Sequence, residues 1–419
     1  MGKFIISDTV PLKGKVRING AKNSVLPIMA ASLLSEGQCC IKDVPELNDV
    51  KTMCELLKSL GSQVNYNNKE GFICINSNNL YNLTAPYELV NKMRASFLVM
   101  GPLLAKFGYA KVSLPGGCGI GTRPVDLHLK GFEAMGAKIS CRHGYIEVSA
   151  DGRLEGNTIY LDFPSVGATE NIMMAAVLAK GQTIIENAAI EPEISDLANY
   201  LILMGADITG AGTDTIKING TDTLKPAEYV IIPDRIEAGT FMVAAAITGG
   251  DVVLENVIPD HLKPITAKLK EAGVEVSEEI SSVHIKSDGK LKAVDIKTHP
   301  YPGFPTDMQA QMTSLMSKAN GTSMIVETIF ENRFMHISEL KRMGAQIKID
   351  GRSAIVEGKK NLTGAQVKAT DLRAGAAMVI AGLAADGITE ISNIEHIDRG
   401  YEKFDKKLKS LGAKIERVE

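Results

Sequence analysis

Residues 114–128 read Leu-Pro-Gly-Gly-Cys-Gly-Ile-Gly-Thr-Arg-Pro-Val-Asp-Leu-His, with Gly116, Gly117, Gly119 and Gly121 inside six residues. A segment so rich in glycine is costly to hold ordered and easy to move. Cys118 places a thiol at its centre, and the guanidinium of Arg123 follows five residues later. A nearby cation favours the reactive thiolate. The combination predicts a catalytic lid that carries one reactive group beside a positive charge. A glycine-rich turn with a chance cysteine is the plainer alternative. Gly117-x-Gly119-x-Gly121 also resembles part of a dinucleotide loop. That reading is rejected, because Pro124 interrupts the helix start and no acidic partner follows in a strand context.

The elements that must position this loop repeat along the chain. The pattern apolar-x-x-apolar-Gly-small-x-apolar occurs at 57–64, 132–139, 201–208, 269–276, 340–347 and 408–415, with Ala272 as the small departure. Its glycines, Gly61, Gly136, Gly205, Gly273, Gly344 and Gly412, recur every 68 to 75 residues. So even a period marks a repeat architecture. Each copy also holds a stretch apolar nearly all round, such as 171–180, 239–248 and 373–383, which predicts a buried helix. The second helix, as at 339–343, carries Lys, Arg and Glu and is expected to face water. Alternating runs such as 346–350 and 353–357 read as a hairpin. Each unit is thus helix, strand, loop, helix and hairpin.

The sixth copy stops seven residues after Gly412. Residues 3–19 are strand-like and are expected to complete it, bringing the termini together. Six units exceed one hydrophobic core, so three per domain is the natural division. The expected domains are 21–230, carrying the Cys118 loop, and 1–20 plus 231–419, carrying Asp307, Arg373 and Arg399.

The repeat brings chemistry to two equivalent points. One is the start of the buried helix, with Lys22-Asn23, Arg94, Ser165-Val166-Gly167, Asp234-Arg235, Asp307 and Asp371/Arg373. The other is the loop after the first strand, with Asp49, Cys118/Arg123, Glu191/Glu193, Asp260/His261, Arg333 and Asp398-Arg399. Helix N-termini add N–H donors and positive potential there. With Lys22, Arg94, Arg123, Arg333, Arg373 and Arg399, an interdomain cleft of this kind suits a small polyanion and is expected to close on it. Arg matches carboxylate and phosphate bidentately. Taken alone, Asp307 and Asp371 read first as helix N-cap or first-turn residues. Among the seven histidines His128 lies nearest the loop, and a structural role is expected for it.

Bulk properties exclude several classes. The 419 residues are 45% hydrophobic and 23% charged, with a net charge of −3, which gives no footprint for nucleic acid or an anionic membrane. No apolar run is long enough to span a bilayer and no signal-peptide pattern opens the chain. The cysteines at 39, 40, 54, 74, 118 and 141 form no CxxC pair and no metal-ligand spacing. A disulfide scaffold is not expected, and a reduced cytoplasm is the expected compartment. No HExxH, Walker or Ser-His-Asp set occurs.

Eight stretches together carry a family resemblance. They are Gly20-Ala21-Lys22-Asn23, Met93-Arg94-Ala95-Ser96, 114–128, Ser165-Val166-Gly167-Ala168-Thr169, 304–311, Glu331-Asn332-Arg333-Phe334-Met335-His336, Thr370-Asp371-Leu372-Arg373-Ala374 and His396-Ile397-Asp398-Arg399-Gly400-Tyr401. They resemble the UDP-N-acetylglucosamine 1-carboxyvinyltransferases of the enolpyruvyl transferase family, and the similarity covers the whole chain. The resemblance implies a two-domain inside-out α/β barrel of six units. It implies transfer of the enolpyruvyl group of phosphoenolpyruvate to the sugar 3-hydroxyl of UDP-N-acetylglucosamine. Phosphate is released by addition and elimination, without metal or organic cofactor, as the first committed step of peptidoglycan synthesis. Cys118 matches the family's general acid, the target of the epoxide fosfomycin. Asp307 matches the group that takes the hydroxyl proton. Lys22, Arg123 and Arg399 match the cations on phosphate and carboxylate. Asn23, Arg94, Arg123, Pro124, Val125, Asp126, Leu127, Phe163, Pro164, Ser165, Val166, Gly167, Ile329, Arg333 and Arg373 complete the substrate contacts. Protein partners are left open.

Phe163 and Ile190 stand where some members carry basic residues, and Asn48 replaces a Lys. These changes leave the catalytic set intact and bear on the nucleotide phosphates. They are similar to a second paralogue type found in some Gram-positive bacteria. Two other functions compete: transfer to a shikimate-like acceptor, which Cys118 disfavours, and a catalytically idle UDP-sugar-binding regulator, which intact Cys118, Asp307 and Lys22 disfavour.

Overall fold

The six repeated glycines fall where a helix must give way to a strand, and each has a positive φ, from +85° at Gly344 to +112° at Gly61. Only glycine adopts that left-handed backbone without strain. Gly61, for example, ends the helix Asn48–Leu60 and hands the chain to the strand Gln63–Asn67. The computed structural model describes residues 2–7, 10–114, 125–359 and 361–419. The described chain forms two compact units that meet in sequence at Asn19/Gly20 and Ile232/Pro233.

Each unit is built inside out. Residues 20–232 bury the helices Lys22–Ala31, Met100–Phe107 and Val166–Ala176. The other unit buries Arg235–Thr248, Gln309–Met316 and Leu372–Leu383. Their apolar faces allow contact with neighbours on every side. A fully buried Ile, Met or Phe stabilises by about 1.5–3 kcal/mol, so each unit has its own core. Three helices are capped as their sequences dictate. Asp234 accepts from Ile236 N at 2.8 Å and Glu237 N at 2.9 Å. Asp371 accepts from Arg373 N at 2.9 Å and Ala374 N at 3.0 Å. Ser165 accepts from Ala168 N.

Six four-stranded sheets share one order. A short edge strand runs parallel to the first strand, the third pairs antiparallel to the first, and the second lies on the far edge. In one sheet these are Thr158–Tyr160, Gln182–Glu186, Thr215–Asn219 and Asp207–Thr209. Burial alternates along them, as period-two side chains require. No ladder closes on itself into a barrel among the described residues; the sheets remain separate around the buried helices.

Several expectations need correction. Beyond the strand-like 3–19, the sequence reading has no edge strand ahead of the buried helices, and the structure has one before each. Residues 3–19 divide their pairing: Lys3–Ile6 lies between Thr389–Ser392 and Ile415–Val418 and completes the sixth sheet. Lys13–Arg17 instead runs parallel to Asp251–Glu255 in the fourth. Glu228–Val230 does the same for the first sheet, beside Gln38–Lys42. The second helices are half-buried: in His336–Arg342, Ile337, Glu339 and Leu340 are buried while Lys341 and Arg342 face water. Cys40 and Cys74 are disulfide-bonded, 34 residues apart in sequence. They oppose each other because Gln38–Lys42 and Phe72–Asn76 pair in that register.

Candidate active site

Lys22 opens its buried helix, at the positive end of the macrodipole, where a cation costs about 0.3–1 kcal/mol. The helix has no side-chain cap and no acid in its first turn. Instead Lys22 Nζ lies 2.7 Å from Oδ2 of Asp49, in the first turn of the surface helix Asn48–Leu60, and both side chains are largely buried. Asn23 follows, half-buried.

The same unit holds Arg94, at the start of the short helix Arg94–Val99. His128 lies on the helix Asp126–Ala134, and its ring meets Phe97 edge-on at 5.0 Å. The Asn171 amide donates to His128 Nδ1 at 3.0 Å, so Nε2 carries the proton of a neutral ring. Burial, with a smaller contribution from Arg94, pushes this imidazole down to about 3. Gly167 lies against the same ring: a Cβ there would meet His128 Cε1 at 3.2 Å. The ring is thus held by Asn171 and packed beside Phe97 and Gly167. Ser165 caps its helix, Phe163 and Asp126 are exposed, Val125 is buried, and Pro164, Val166 and Leu127 are half-buried. Glu170 is buried with Glu193 and Glu191 as its charged neighbours. Burial first, then the two carboxylates, raises it well above the ordinary range. Cys118, Arg123 and Pro124 lie outside the described residues.

In the other unit the structure gathers Asp307, Arg333 and Arg373. Arg333 Nη2 donates to Asp307 Oδ1 at 2.9 Å, and Arg373 donates to Oδ2 from Nη2 at 2.8 Å and Nε at 3.1 Å. Arg373 Nη1 reaches Tyr401 Oη at 3.1 Å. Burial alone would push the Arg373 guanidinium down, but Asp307, then Tyr401 and Asp234, hold it above its usual value. The arginines are almost fully buried, whereas Asp307 keeps 27% of its side chain accessible. Of the two readings, N-cap or first-turn residue, Asp307 meets the second: it lies in the first turn of Thr306–Met308 and caps neither helix. Pro305 stands at the N-cap of Thr306–Met308 and Met308 at that of Gln309–Met316, both without a side-chain cap bond. Asp371, by contrast, is a cap. Arg399 ends the short helix Ile394–Arg399. Ile329 is half-buried, its N–H bound to Glu327 at 2.8 Å.

Sequence reasoning passed over Gln311 and Glu327. Gln311 donates to the Asp307 carbonyl at 2.9 Å and to Thr240 at 3.2 Å. Its i+4 spacing from Asp307 was the available signal. The Asp307 carboxylate, oriented by two buried guanidiniums and still partly accessible, is placed to accept from a hydroxyl. Among the described residues no group of three or more His, Cys, Asp or Glu is placed to hold a metal ion, and no helix is long and apolar enough to cross a membrane.

Comparison with known proteins fits this geometry. The family model for EPSP synthase (3-phosphoshikimate 1-carboxyvinyltransferase) matches residues 6–408. UDP-N-acetylglucosamine 1-carboxyvinyltransferase 1 of Caldanaerobacter subterraneus subsp. tengcongensis is 63% identical over 99% of each chain. UDP-N-acetylglucosamine 1-carboxyvinyltransferase 2 of Carboxydothermus hydrogenoformans is 62% identical over 100% of each. The crystal structure of the enolpyruvyl transferase NikO from Streptomyces tendae superposes with a TM-score of 0.90 at 25% identity, covering 100% of this chain and 99% of that one. EPSP synthase from Acinetobacter baumannii shares the fold, with a TM-score of 0.77 at 22% identity over the full length of both.

Proposed function

The chain belongs to the EPSP synthase family, among its UDP-N-acetylglucosamine 1-carboxyvinyltransferases, and on that premise we propose how its residues divide the work. The enzyme transfers the enolpyruvyl group of phosphoenolpyruvate to the 3-hydroxyl of UDP-N-acetylglucosamine and releases phosphate, the first committed step of peptidoglycan synthesis. Full-length identity of 56–63% to carboxyvinyltransferases of this acceptor carries the conclusion. It decides between acceptors, since the family model alone is named for a shikimate.

In the proposed mechanism Cys118 gives its thiol proton to the vinyl methylene, which becomes a methyl group. The adjacent carbon turns electrophilic, and the sugar 3-oxygen bonds to it as its proton passes to Asp307. The product of addition is tetrahedral and carries carboxylate, phosphate and sugar on one carbon. A methyl proton returns to the Cys118 thiolate as phosphate departs with the proton held by Asp307, which restores the double bond and both side chains. Lys22, Arg123 and Arg399 hold the phosphate and carboxylate through both steps, stabilising charge where it develops. Arg333 and Arg373 support this reading by holding the Asp307 carboxylate in one orientation with three charge-assisted bonds. On the nucleotide-sugar side we place Asn23, Arg94, Arg123 to Leu127, 163–167 and Ile329. Both substrates are multiply charged and cross no bilayer unaided, so the cytoplasm is the compartment proposed.

Phosphate release from phosphoenolpyruvate, measured with UDP-N-acetylglucosamine, with a phosphorylated shikimate, and with neither, tests the function. Release that needs the UDP-sugar is expected, with a product heavier by the enolpyruvyl group. Release supported by the shikimate alone overturns it.

A further inference from the structure

Glu327 follows the strand Thr322–Val326, is 1% exposed, and plays no part in the mechanism above. Its Oε1 accepts from Thr298 Oγ1 at 2.9 Å, Ile329 N at 2.8 Å and Phe330 N at 3.3 Å. Its Oε2 accepts from Thr306 Oγ1 at 2.8 Å. Among the described residues no lysine or arginine pairs with it. A buried carboxyl without a counter-cation is expensive unless several donors satisfy it, and here four donors do.

Three of the four donors belong to two segments of the proposed site. Thr306 immediately precedes Asp307, while Ile329 and Phe330 lead to Arg333. The Asp307–Arg333 ion pair joins the same two segments, so Glu327 is a second link between them, independent of that pair. Thr298 anchors the link: its Oγ1 also accepts from Thr328 N at 2.9 Å, and its carbonyl accepts from Thr328 Oγ1 at 2.6 Å. We propose that Glu327 is a positioning residue, fixing the Asp307 segment and the Ile329 backbone at one separation and so setting how the acceptor sugar meets the base. This rests on the assignment of Asp307 and Ile329 to the acceptor side.

Kinetics of Glu327→Ala, Thr306→Val and Thr306→Ser test it, with amide hydrogen exchange of the ligand-free proteins. A small misplacement of reacting groups costs about tenfold to hundredfold in rate. Thr306→Val, which removes only the link to the Asp307 segment, is expected to lower kcat/KM for UDP-N-acetylglucosamine at least about tenfold. KM for phosphoenolpyruvate is expected to stay within about threefold, and Thr306→Ser, which keeps the hydroxyl, to restore the rate. Glu327→Ala is expected to speed exchange in both 306–309 and 328–331. Thr306→Val kinetics equal to the parent's, Thr306→Ser no better than Thr306→Val, or exchange altered only at 328–331 overturns the proposal. Should Glu327→Ala fail to fold, the Thr306 pair decides by kinetics and exchange. Should the parent release no phosphate with UDP-N-acetylglucosamine, the functional assignment fails, while exchange still decides whether Glu327 ties the two segments.

Discussion

Lys22 Nζ stands 2.7 Å from Asp49 Oδ2, cation at the start of a buried helix and carboxylate at the start of the surface helix after it. Four repeats later, Asp307 and Arg333 fill the corresponding positions at 2.9 Å with the charges reversed. One backbone scheme thus presents a lysine in one unit and a carboxylate in the other.

This pairing separates structure from chemistry at Lys22. Breaking one partner of a buried ion pair costs about 3–5 kcal/mol, offset in part by about 0.3–1 kcal/mol from relieving the helix dipole. Lys22→Met is therefore expected to lower both thermal stability and turnover. Adding Asp49→Asn removes the stranded charge, so the double variant should regain most of the lost stability and none of the turnover. Recovery of phosphate release in the double variant would show that Lys22 acts only as a counter-ion.

Two imidazoles set an acid limit on stability. His128 is held at about 3 by burial and Arg94. His336 is held at about 4 by burial and Arg333, against the pull of Asp371. Unfolded histidine titrates near 6.5, so between that pH and about 4 the unfolded chain binds more protons than the native one. Stability is fully present above about pH 6.5 and falls below it, by up to about 1.4 kcal/mol per pH unit for each histidine. In urea unfolding from pH 7 to 4.5, stability should change with a smaller acid-side loss in His336→Phe than in the parent, the difference in slope being the histidine's contribution. An unchanged slope in that variant contradicts the assignment.

Glu170 has the opposite sign. Burial and the neighbouring Glu193 and Glu191 keep it protonated in the native state above its ordinary value of 4.5. The unfolded chain ionises there and is favoured as pH rises. Glu170→Gln removes that cost. Its stability advantage over the parent should be small at pH 4.5 and grow by up to about 1.4 kcal/mol per pH unit above it. Melting temperatures that differ by a constant across pH would exclude a buried proton on Glu170.

Cys118 is predicted to be the thiol that reacts with fosfomycin. Among the described cysteines, Cys39 and Cys54 are buried, Cys54 is pushed up to about 11 mainly by burial, and Cys141 is exposed. Alkylation needs both access and an electropositive setting, which the neighbouring Arg123 offers Cys118 in the sequence, so peptide mass mapping should place the adduct on Cys118 and leave Cys141 free. Cys118→Asp should keep some turnover, since a carboxyl also donates a proton, and Cys118→Ala little. An adduct on Cys141 with full activity in Cys118→Ala would remove the thiol from the mechanism.

What the sequence revealed follows the range of the interactions involved. Gly61 and its five equivalents act within one turn, and helices apolar all round must be buried, so the six-unit plan was readable. The Asp371 cap was readable for the same reason. Edge strands such as Thr84–Ala85 and Ile296–Lys297 are too short for a period to appear. Lys13–Arg17 chose a sheet more than 230 residues away in sequence. Asp307 looked like a cap because its partners, Arg333 and Arg373, lie 26 and 66 residues further on. Cys40 and Cys74 face each other only through strand register. The roles of Lys22 and Arg399 came from family resemblance, since a single cation carries no local signature.

The measurement that reaches the central claim most directly is kcat of Asp307→Asn, taken well below its melting temperature and normalised to folded protein by circular dichroism. Asparagine keeps the shape and loses the charge that Arg333 and Arg373 hold, so lower stability is expected and is not the test. Loss of an acid–base group costs about a hundredfold or more in rate. A kcat at least about a hundredfold below the parent's, with KM for phosphoenolpyruvate within about threefold, is the predicted result. A kcat within about threefold of the parent's would reduce Asp307 to a counter-ion for two buried arginines and contradict its role toward the acceptor hydroxyl.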